Sequence, residues 1–374
     1  MVPNGWLHKQ IGEIASIQVG RDLVEDKYSE ISTTEYKYPV YSNTVENKGL
    51  YGFYNFPEYS GNAITIVGRG VGLGKAFARS PGESFGAIGR LLVLTPKNNS
   101  FDVIFFANYI NFALRIHNES GGIPQLPGAS LSKYFVMLPP LAEQQKIAQI
   151  LSTWDKAIAV TEQLLANSQQ QKKALMQQLL TGKKRLLDEN GVRFEGEWKL
   201  TELNSLLDYH QPTPYLVAST EYDDKYEIPV LTAGKTFILG YTNEKSGIYQ
   251  DSLPVIIFDD FTTDSKFVDF PFKVKSSAMK ILTAKKGASI KYVFEAMRML
   301  KFTVGGHQRH WISIFSNLVI PIPKSHEQQK IAKVLSTADQ EIEALQRKLD
   351  GLQQEKKALM QQLLTGKRRV KVAA

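Results

Sequence analysis

The first stretch of the chain that could bind a phosphate is the glycine-rich segment 68–75, which reads GRGVGLGK. It does not match the phosphate-binding loop pattern, because Arg69 stands where the first glycine is required and Ala76 replaces the serine or threonine that would bind Mg²⁺. It fails the dinucleotide fingerprint as well. A glycine-rich β-loop that lets Arg69 and Lys75 approach an anionic backbone fits better, and a plain hairpin is the alternative.

A second candidate site is acidic and lies in the second half of the chain, where Asp251 precedes the segment 259–266 (DDFTTDSK). Paired carboxylates and a lysine resemble a nuclease metal site, but Asp251 comes before the strand that should carry it, and two-metal hydrolysis needs more convergent carboxylates. These groups are equally suited to base edges, since Asp accepts from cytosine and Thr or Ser adapts to either base. A nuclease therefore stays the alternative to base reading.

A third candidate, the segment 307–311 (HQRHW), carries two histidines three residues apart. Without cysteine or a nearby acid the metal interpretation is weak. Glutamine pairs with adenine and arginine pairs with guanine, so we interpret this segment as a base-reading loop. A structural turn is the alternative. The corresponding earlier loop, 121–126, offers Gln125. The sequence has no nucleophile elbow, no recognisable Ser/His/Asp set and no methyltransferase motif, so we expect no catalysis, no metal and no cofactor in this chain.

Composition indicates a folded, basic protein with room for two or three domains. The 374 residues are 43% hydrophobic and 10% aromatic, and 45 Lys+Arg against 37 Asp+Glu give a net charge of +8. This charge points mildly toward an anionic partner such as nucleic acid. The absence of cysteine excludes a disulfide framework and thiolate metal sites. With no signal-like start and no apolar run of about 18 residues, we expect a cytoplasmic protein without a membrane partner.

The element that must position these candidates is a repeat. Residues 143–183 return at 327–367, always 184 positions later, with EQQKIA opening each copy and KKALMQQLLTGK closing it. Apolar residues recur in steps of four and three, which is the heptad pattern of a coiled coil. Ser325 and Gln328 read as a capping box, and Gly182 and Gly366 as helix-ending glycines followed by basic runs that suit the negative helix end. The predicted seam comprises Ile147, Leu151, Trp154, Ile158, Leu165, Leu175, Leu179, Ile331, Leu335, Ile342, Leu345, Leu349, Leu352, Leu359 and Leu363, with Thr161, Ser168, Lys172 and Lys356 at its weaker steps.

Each repeat predicts a helix of about 40 residues, roughly 60 Å long and longer than one turn of B-DNA, roughly 34 Å. A single helix cannot bury such a stripe, so the simplest arrangement is an antiparallel pair within the chain. A zipper between two chains is the alternative, because heptads alone do not fix the partner.

The segments before each repeat share an order of landmarks. Each has a tryptophan entry, a Pro-Val step, a Gly-aromatic-x-Asn match, a β-rich run, a Gly-Gly loop and a final strand. We predict two mixed α/β domains (α+β) of one fold with different surfaces, each with a short helix, at 103–117 and 291–302. The predicted domains are 1–140, 141–185, 186–324 and 325–374: a globular domain, a long helix, a second globular domain, and a second long helix with a basic tail.

The repeated words PLAEQQKIA at 140–148, EQQKIA at 327–332 and QQLLTGK at both helix ends resemble the DNA specificity subunits of type I restriction-modification systems. The resemblance covers the whole chain. It implies that 1–140 and 186–324 are target-recognition domains that each read half of a split site in double-stranded DNA. Because the two domains differ in sequence, we expect unrelated halves and an asymmetric site. The resemblance also implies that the helices set the distance between the halves and dock two modification subunits, with two restriction (motor) subunits in the full complex. S-adenosylmethionine, ATP and Mg²⁺ would belong to those partners.

Individual DNA contacts cannot be transferred from the family, so they are predicted from residue type and loop position alone. A purely structural coiled-coil adaptor is a further alternative, as is the nuclease. The predicted DNA-binding residues are Ser42, Asn43, Arg69, Lys75, Arg79, Arg90, Gln125, Thr232, Lys235, Thr262, Thr263, Asp264, Lys266, His307, Gln308 and Arg309.

Overall fold

The computed structural model describes residues 3–118, 122–232, 236–301 and 310–372. The chain divides into two compact units, the first formed by residues 1–162 and 348–374 and the second by residues 163–347. Each unit therefore contains one globular domain and parts of both long helices. Among the described helices, none combines the length and the apolar character needed to cross a membrane.

Two sheets and a two-stranded ribbon form the globular part of the first unit. Its strands are β1 (Leu7–Gln10), β2 (Ala15–Val19), β3 (Tyr28–Ser29), β4 (Tyr38–Tyr41), β5 (Leu50–Tyr54), β6 (Ala63–Ile66), β7 (Ala76–Arg79), β8 (Gly86–Ala87), β9 (Leu92–Pro96) and β10 (Phe135–Leu138). One sheet is antiparallel, in the order β2-β9-β6-β7. The other has the order β3-β5-β4-β8, with β4 and β8 parallel, and β1 pairs with β10. All four residues of β6 are buried, as expected of a central strand.

Helices pack on these sheets and close the core of the first unit. They are α1 (Ile11–Ile14), α2 (Val103–Ala113), α3 (Gly128–Leu131) and the first part of α4 (Leu141–Leu179). Asp102 caps α2, its carboxylate accepting from the backbone N–H groups of Ile104 and Phe105 at 3.0 and 2.8 Å. The prediction that this helix continues to residue 117 is wrong. The backbone is extended from Leu114 onward, where Ile116 packs against Gly74 of the glycine-rich loop.

The second unit repeats this strand order. Its strands are β11 (Lys199–Glu202), β12 (Leu207–His210), β13 (Ile228–Leu231), β14 (Ile238–Thr242), β15 (Val255–Asp259), β16 (Ser265–Val268), β17 (Lys273–Val274), β18 (Met279–Ala284) and β19 (Val319–Ile322). The antiparallel sheet runs β12-β18-β15-β16, the second sheet runs β14-β13-β17, and β11 pairs with β19. Strand for strand these match the sheets of the first unit, which adds only β3. The prediction of two mixed α/β domains of one fold is therefore confirmed.

The helices of the second unit are short except for the long pair. They are α5 (Leu203–Leu206), α6 (Ile290–Met297), α7 (His310–Ser313) and α8 (Ser325–Leu363), the last of which ends in the first unit. The predicted helix 291–302 is shorter than expected, because α6 gives way after Met297 to a turn in which the Leu300 N–H bonds the Met297 carbonyl.

Within each unit the long helices run antiparallel. In the first unit Lys356 of α8 pairs with Asp155 of α4, and Ile147 and Leu151 share a core with Leu363. In the second unit Ser168 of α4 donates to Glu341 of α8 at 3.3 Å. The antiparallel pairing within one chain is confirmed, and hydrophobic burial continues directly from the helices into each globular core.

Candidate nucleic-acid interface

The glycine-rich segment 68–75 forms the loop of the β6–β7 hairpin, and neighbouring segments hold it in place. Leu126 N–H donates to the Gly68 carbonyl and Gly70 N–H donates to the Pro124 carbonyl, both at 2.9 Å, and Arg69 pairs with Gln125 in a β-bridge. Gly70, like Gly72 and Gly74, has a φ above +80°, a backbone conformation that residues with a Cβ rarely adopt. Two segments that lie 56 positions apart in the sequence, around Arg69 and Gln125, thus lie side by side in the structure.

A third loop, 42–49, joins this arrangement through Asn43. The Asn43 amide oxygen accepts from Gly68 N–H at 2.8 Å, and its amide nitrogen donates to the Gly89 carbonyl. The side chain of Val45 packs against Gly72. Segments 42–49, 68–75, 89–90 and 122–126 therefore form one surface, which we call the first loop cluster.

The first loop cluster is cationic. Lys48, Lys75 and Arg90 are exposed and Arg69 is half-buried. Among the described residues none of these four side chains forms an ion pair with a carboxylate, so their charges remain available to an anionic ligand. Arg69, Lys75, Arg90 and Gln125, together with Ser42 and Asn43, remain predicted DNA contacts, now brought together on one surface. Lys48 was not predicted, because an isolated lysine in a polar loop carries no sequence signal.

Arg79 differs from the other predicted contacts because its side chain is buried, at 3% exposure. Its guanidinium donates to the Thr65 hydroxyl at 3.1 and 2.8 Å and to the Lys48 carbonyl at 2.6 Å, and it lies 3.3 Å from the Tyr41 ring centre. Burial lowers the pKa of Arg79 and raises the pKa of Tyr41 to about 12. Arg79 supports the 42–49 loop from inside and is not presented to solvent, which corrects its assignment as a direct contact.

In the second unit the equivalent hairpin, β15–β16, carries the acidic segment. The Asp259 carboxylate is buried and accepts from Phe261 N–H at 2.9 Å and from the Thr262 hydroxyl at 2.7 Å. Thr263 has a φ of +60°, and its N–H donates to the Asp259 carbonyl oxygen at 2.9 Å. Asp259 therefore shapes the turn. Nothing in the part of the chain that the structure describes groups three or more metal-ligating side chains.

This hairpin loop is also tied to a neighbouring segment, as in the first unit. The buried carboxylate of Asp260 accepts from Trp311 N–H, and its backbone carbonyl accepts from His310 N–H, both at 2.9 Å. Its second carboxylate oxygen lies 3.6 Å from the ammonium of Lys280, a fully buried lysine that donates to the Gln211 side chain at 3.1 Å. Sequence reasoning missed Lys280, because a single lysine in a mostly apolar strand carries no signal of a buried ion pair.

The remaining predicted contacts of the second domain divide into two groups. Thr262, Thr263, Asp264 and Lys266 lie together on the β15–β16 hairpin, with Asp264 and Lys266 in an exposed ion pair at 3.2 Å, and Thr232 follows β13, where it donates to the Thr236 carbonyl at 3.1 Å. These stay predictions. Lys235, His307, Gln308 and Arg309 lie outside the described residues, although the last three directly precede the segment that Asp260 holds.

In each unit, an arginine that follows one long helix binds a glutamate near the start of the other long helix. In the first unit Arg369 binds both carboxylate oxygens of Glu143, at 2.7 and 2.6 Å, and donates to the Asn4 carbonyl. In the second unit Arg185 binds both oxygens of Glu327, at 2.6 and 2.7 Å, and donates to the Gly196 carbonyl at 3.0 Å. We call these two bidentate pairs the latches. Hydrogen bonding to the glutamate raises the pKa of each arginine.

Of the two predictions for the helix ends, the one for the basic runs is wrong and the one for the glycines is confirmed. The basic runs after the helices were expected to act on the helix ends, but their third residues bind glutamates at the start of the opposite helix instead. Gly182 and Gly366 end the helices with φ of +71° and +69°, as predicted. Gly182 faces Trp198, whose ring would be at ordinary contact distance from a Cβ, whereas at Gly366 a Cβ would lie 2.5 Å from Pro3 and 3.3 Å from Trp6 and has no room.

Next to each latch glutamate, a buried glutamine connects the helix to its globular domain. The Gln144 side-chain oxygen accepts from Asp102 N–H at 3.0 Å and its nitrogen donates to the Pro139 carbonyl at 2.9 Å. The Gln328 side-chain oxygen accepts from Ser289 N–H, and its nitrogen donates to the Pro323 carbonyl, both at 2.9 Å. The predicted capping box between Ser325 and Gln328 is therefore wrong, because the Gln328 amide serves the N-terminus of α6.

The two lysines that interrupt the heptad seam form ion pairs between the long helices. Lys356 pairs with Asp155, and Lys172, at the repeated position, pairs with Asp339. In the second unit Lys172 is 6% exposed and also lies 3.1 Å from Glu295, which is fully buried on α6. Burial acts to raise the pKa of Asp339, but hydrogen bonds from Lys172 and Lys291 outweigh it and leave the pKa below its ordinary value.

Comparison with known proteins identifies the family to which the chain belongs. A family model described as the type I restriction modification DNA specificity domain matches residues 3–167 and again residues 195–354. Two domains of one fold, each with its share of paired helices and each matching this model, define a type I DNA specificity protein. The chain belongs to this family and carries two DNA-recognition domains.

Individual relatives agree with this assignment. The chain is 52% identical over 147 residues to the specificity subunit of the type I restriction enzymes EcoR124I and EcoR124II of Escherichia coli, a match that covers 38% of this chain and 36% of that protein. It is 22% identical over 425 residues to the MjaVIII specificity subunit of Methanocaldococcus jannaschii, covering 99% and 94%. The crystal structure of a type I S subunit from M. genitalium has the same fold, with a TM-score of 0.71 at 15% identity, covering 97% of this chain and 99% of that one.

Proposed function

We propose that each recognition domain reads one half of a bipartite, asymmetric target in double-stranded DNA. The observation that carries this proposal is the combination of one strand order with two different hairpin loops: GRGVGLGK in the first unit and DFTTD in the second. A shared frame presents both loops in the same way, while their different side chains select different bases. The cations of the first loop cluster supply affinity for the DNA backbone.

The paired helices set the gap between the two half-sites. Both have 39 residues, which corresponds to roughly 58 Å of α-helix at 1.5 Å per residue. Adding residues to both helices at matched positions changes this length without disturbing either recognition domain. Every repeated sequence segment recurs 184 positions later, so the two helices keep the same length. This supports the proposal that the helix length is under selection.

The helices also dock two modification subunits, one for each repeat, and the full complex contains two restriction subunits. Support comes from the duplication itself, because two equivalent surfaces suit two copies of one partner. We propose that the chain does no chemistry of its own. S-adenosylmethionine, ATP and Mg²⁺ then act in the partner subunits, and the protein functions in the cytoplasm.

A methylome tests this proposal. The chain is co-expressed with its modification subunit in a host that lacks other DNA methylation, and methylated sites are mapped by sequencing. We expect one asymmetric motif with two defined halves. Replacing residues 186–324 with the corresponding domain of a relative should change one half only, and duplicating about four residues in each helix should widen the gap by one or two base pairs, since it adds roughly 6 Å.

Three results would contradict the proposal. A motif that changes in both halves after the domain replacement would show that the domains do not read independently. An unchanged gap after the helix duplication would show that the helices do not set the spacing. A chain that binds DNA with no dependence on salt would not be using its cations on the phosphate backbone.

A further inference from the structure

Val71 lies at the tip of the β6–β7 hairpin loop with its side chain in solvent. It is 89% exposed, the largest value among the large hydrophobic side chains that the structure describes. Single exposed hydrophobic residues are ordinary on protein surfaces. The surroundings of Val71 set it apart, because it projects from the middle of the first loop cluster, between the cations Arg69 and Lys75.

The turn that carries Val71 is fixed by its own hydrogen bonds. Gly74 N–H donates to the Val67 carbonyl at 2.8 Å, Lys75 N–H to the Gly72 carbonyl at 2.9 Å, and Gly70 N–H to the Pro124 carbonyl at 2.9 Å. These backbone donors are occupied, so the loop does not offer them as a cradle for a phosphate. What the tip presents to a ligand is the valine side chain, held in a defined position.

The equivalent hairpin loop of the second domain also carries an exposed apolar residue. Phe261 lies in the β15–β16 loop, is 42% exposed, and is followed by the polar residues Thr262 and Thr263. Two unrelated loop sequences on one strand frame thus share an exposed apolar side chain among groups suited to DNA. This coincidence favours a function at the tip over chance exposure.

The chemistry of the tip limits what it can bind on DNA. Phosphates offer no apolar partner to a valine and sugars carry no sequence information, whereas the C5-methyl group of thymine is the apolar feature of the major groove. Valine is short and branched at Cβ, unlike the longer or ring side chains typically inserted between base pairs as wedges. A fixed valine flanked by two phosphate-binding cations is therefore suited to contact at a base edge.

We propose that Val71 is a specificity-determining residue that reads the C5-methyl group of one thymine in the half-site of the first domain. This inference rests on the proposed function. Arg69 and Lys75 hold the backbone on either side, and the valine recognises one A·T pair and its orientation, because the methyl group marks which strand carries the thymine.

The test uses the full chain co-purified with its modification subunit and duplexes that carry the motif mapped by the methylome. Each thymine of the first half-site is replaced in turn by uracil, which removes only the methyl group, and the dissociation constant is measured. We expect one position at which uracil weakens wild-type binding about fourfold, the factor that the burial of one methyl-sized group gives. The Val71→Ser variant should show no difference at that position, and Val71→Ile should restore it.

Val192→Ser is the matched control, because Val192 is 59% exposed and lies in a turn of the second unit. It should keep the wild-type response to uracil, and all variants should keep the wild-type melting temperature. A half-site without an A·T pair, a uracil scan with no effect, or an equal loss in Val71→Ser and Val192→Ser would overturn the inference. So would a rise in 2-aminopurine fluorescence on binding that Val71→Ser abolishes, since this would identify a wedge.

Failure of the underlying function gives a different result. If wild-type protein binds the motif no better than a scrambled duplex, the proposed function fails and Val71 has no site to read. If the wild type discriminates between these duplexes but shows no response to uracil, only the inference about Val71 fails.

Discussion

Replacing Arg185 with alanine should destabilise the protein by about 3 kcal/mol, the lower end of the range for removing one partner of a buried ion pair. The reason is that Glu327, at 2% side-chain exposure, would keep a buried carboxylate without its bidentate partner, and Arg185 itself is largely covered, at 20% exposure. The equivalent change at Arg369 should cost less, about 2 kcal/mol, because its side chain is 43% exposed and water can solvate Glu143 after the change.

Urea unfolding followed by tryptophan fluorescence measures both losses. The Trp198 ring centre lies 5.5 Å from the Arg185 guanidinium, so its emission reports on this latch. Arg185→Lys is the matched control, since it keeps the charge but loses the planar fork, and we expect roughly half of the alanine effect. A larger loss for Arg369→Ala than for Arg185→Ala, or changes within about 0.5 kcal/mol of wild type for both, would refute the idea that burial sets the strength of the latches.

Three further predictions concern charged residues. Lys172→Met should cost about 2 kcal/mol and Lys356→Met about 0.5 kcal/mol, since only Lys172 has a second, fully buried carboxylate; equal urea midpoints would contradict this. Arg69→Ala and Lys75→Ala should each reduce the slope of log K against log salt by about 0.9, and a titration with unchanged slopes would exclude phosphate contacts there. Because the pKa of Asp339 is lowered in the folded protein, its contribution to stability is present above its ordinary pKa and is lost as pH falls through the folded value. Asp339→Asn should therefore flatten the acid limb of the stability curve, and an unchanged limb would count against the pair.

The sequence predicted the elements whose signals are local. Heptad spacing indicated the long helices, glycines marked their ends, and matching landmarks indicated one fold in both domains. The helix at 103–117 was predicted too long because its apolar pattern continues through Ile116, which in the structure leaves the helix and covers Gly74. The end of the helix therefore depends on the contact between Ile116 and Gly74, which is 42 positions earlier in the chain.

The candidate site was predicted only in part, since its loops meet through contacts between distant segments. The glycine-rich loop and Gln125 were both recognised, but nothing in either segment indicated that they form a β-bridge. Arg79 was taken as a DNA contact because exposed and buried arginines look alike in a sequence. Gln328 was taken as a capping residue because a capping box and a bond to another helix need the same side chain.

The two buried glutamines have a consequence for how such proteins diversify. Gln144 and Gln328 bind their globular domains only through backbone groups, namely the N–H of Asp102 or Ser289 and nearby carbonyls. Every residue except proline offers the same backbone donor and acceptor. At these hydrogen bonds each helix therefore makes no demand on the side chains of its domain, so the bonds themselves would survive the exchange of one domain of this fold for another. The contacts of Glu295 with Lys172 and of Lys291 with Asp339 are side-chain specific, so an incoming second domain has to match the long helices there as well as in the shared apolar core.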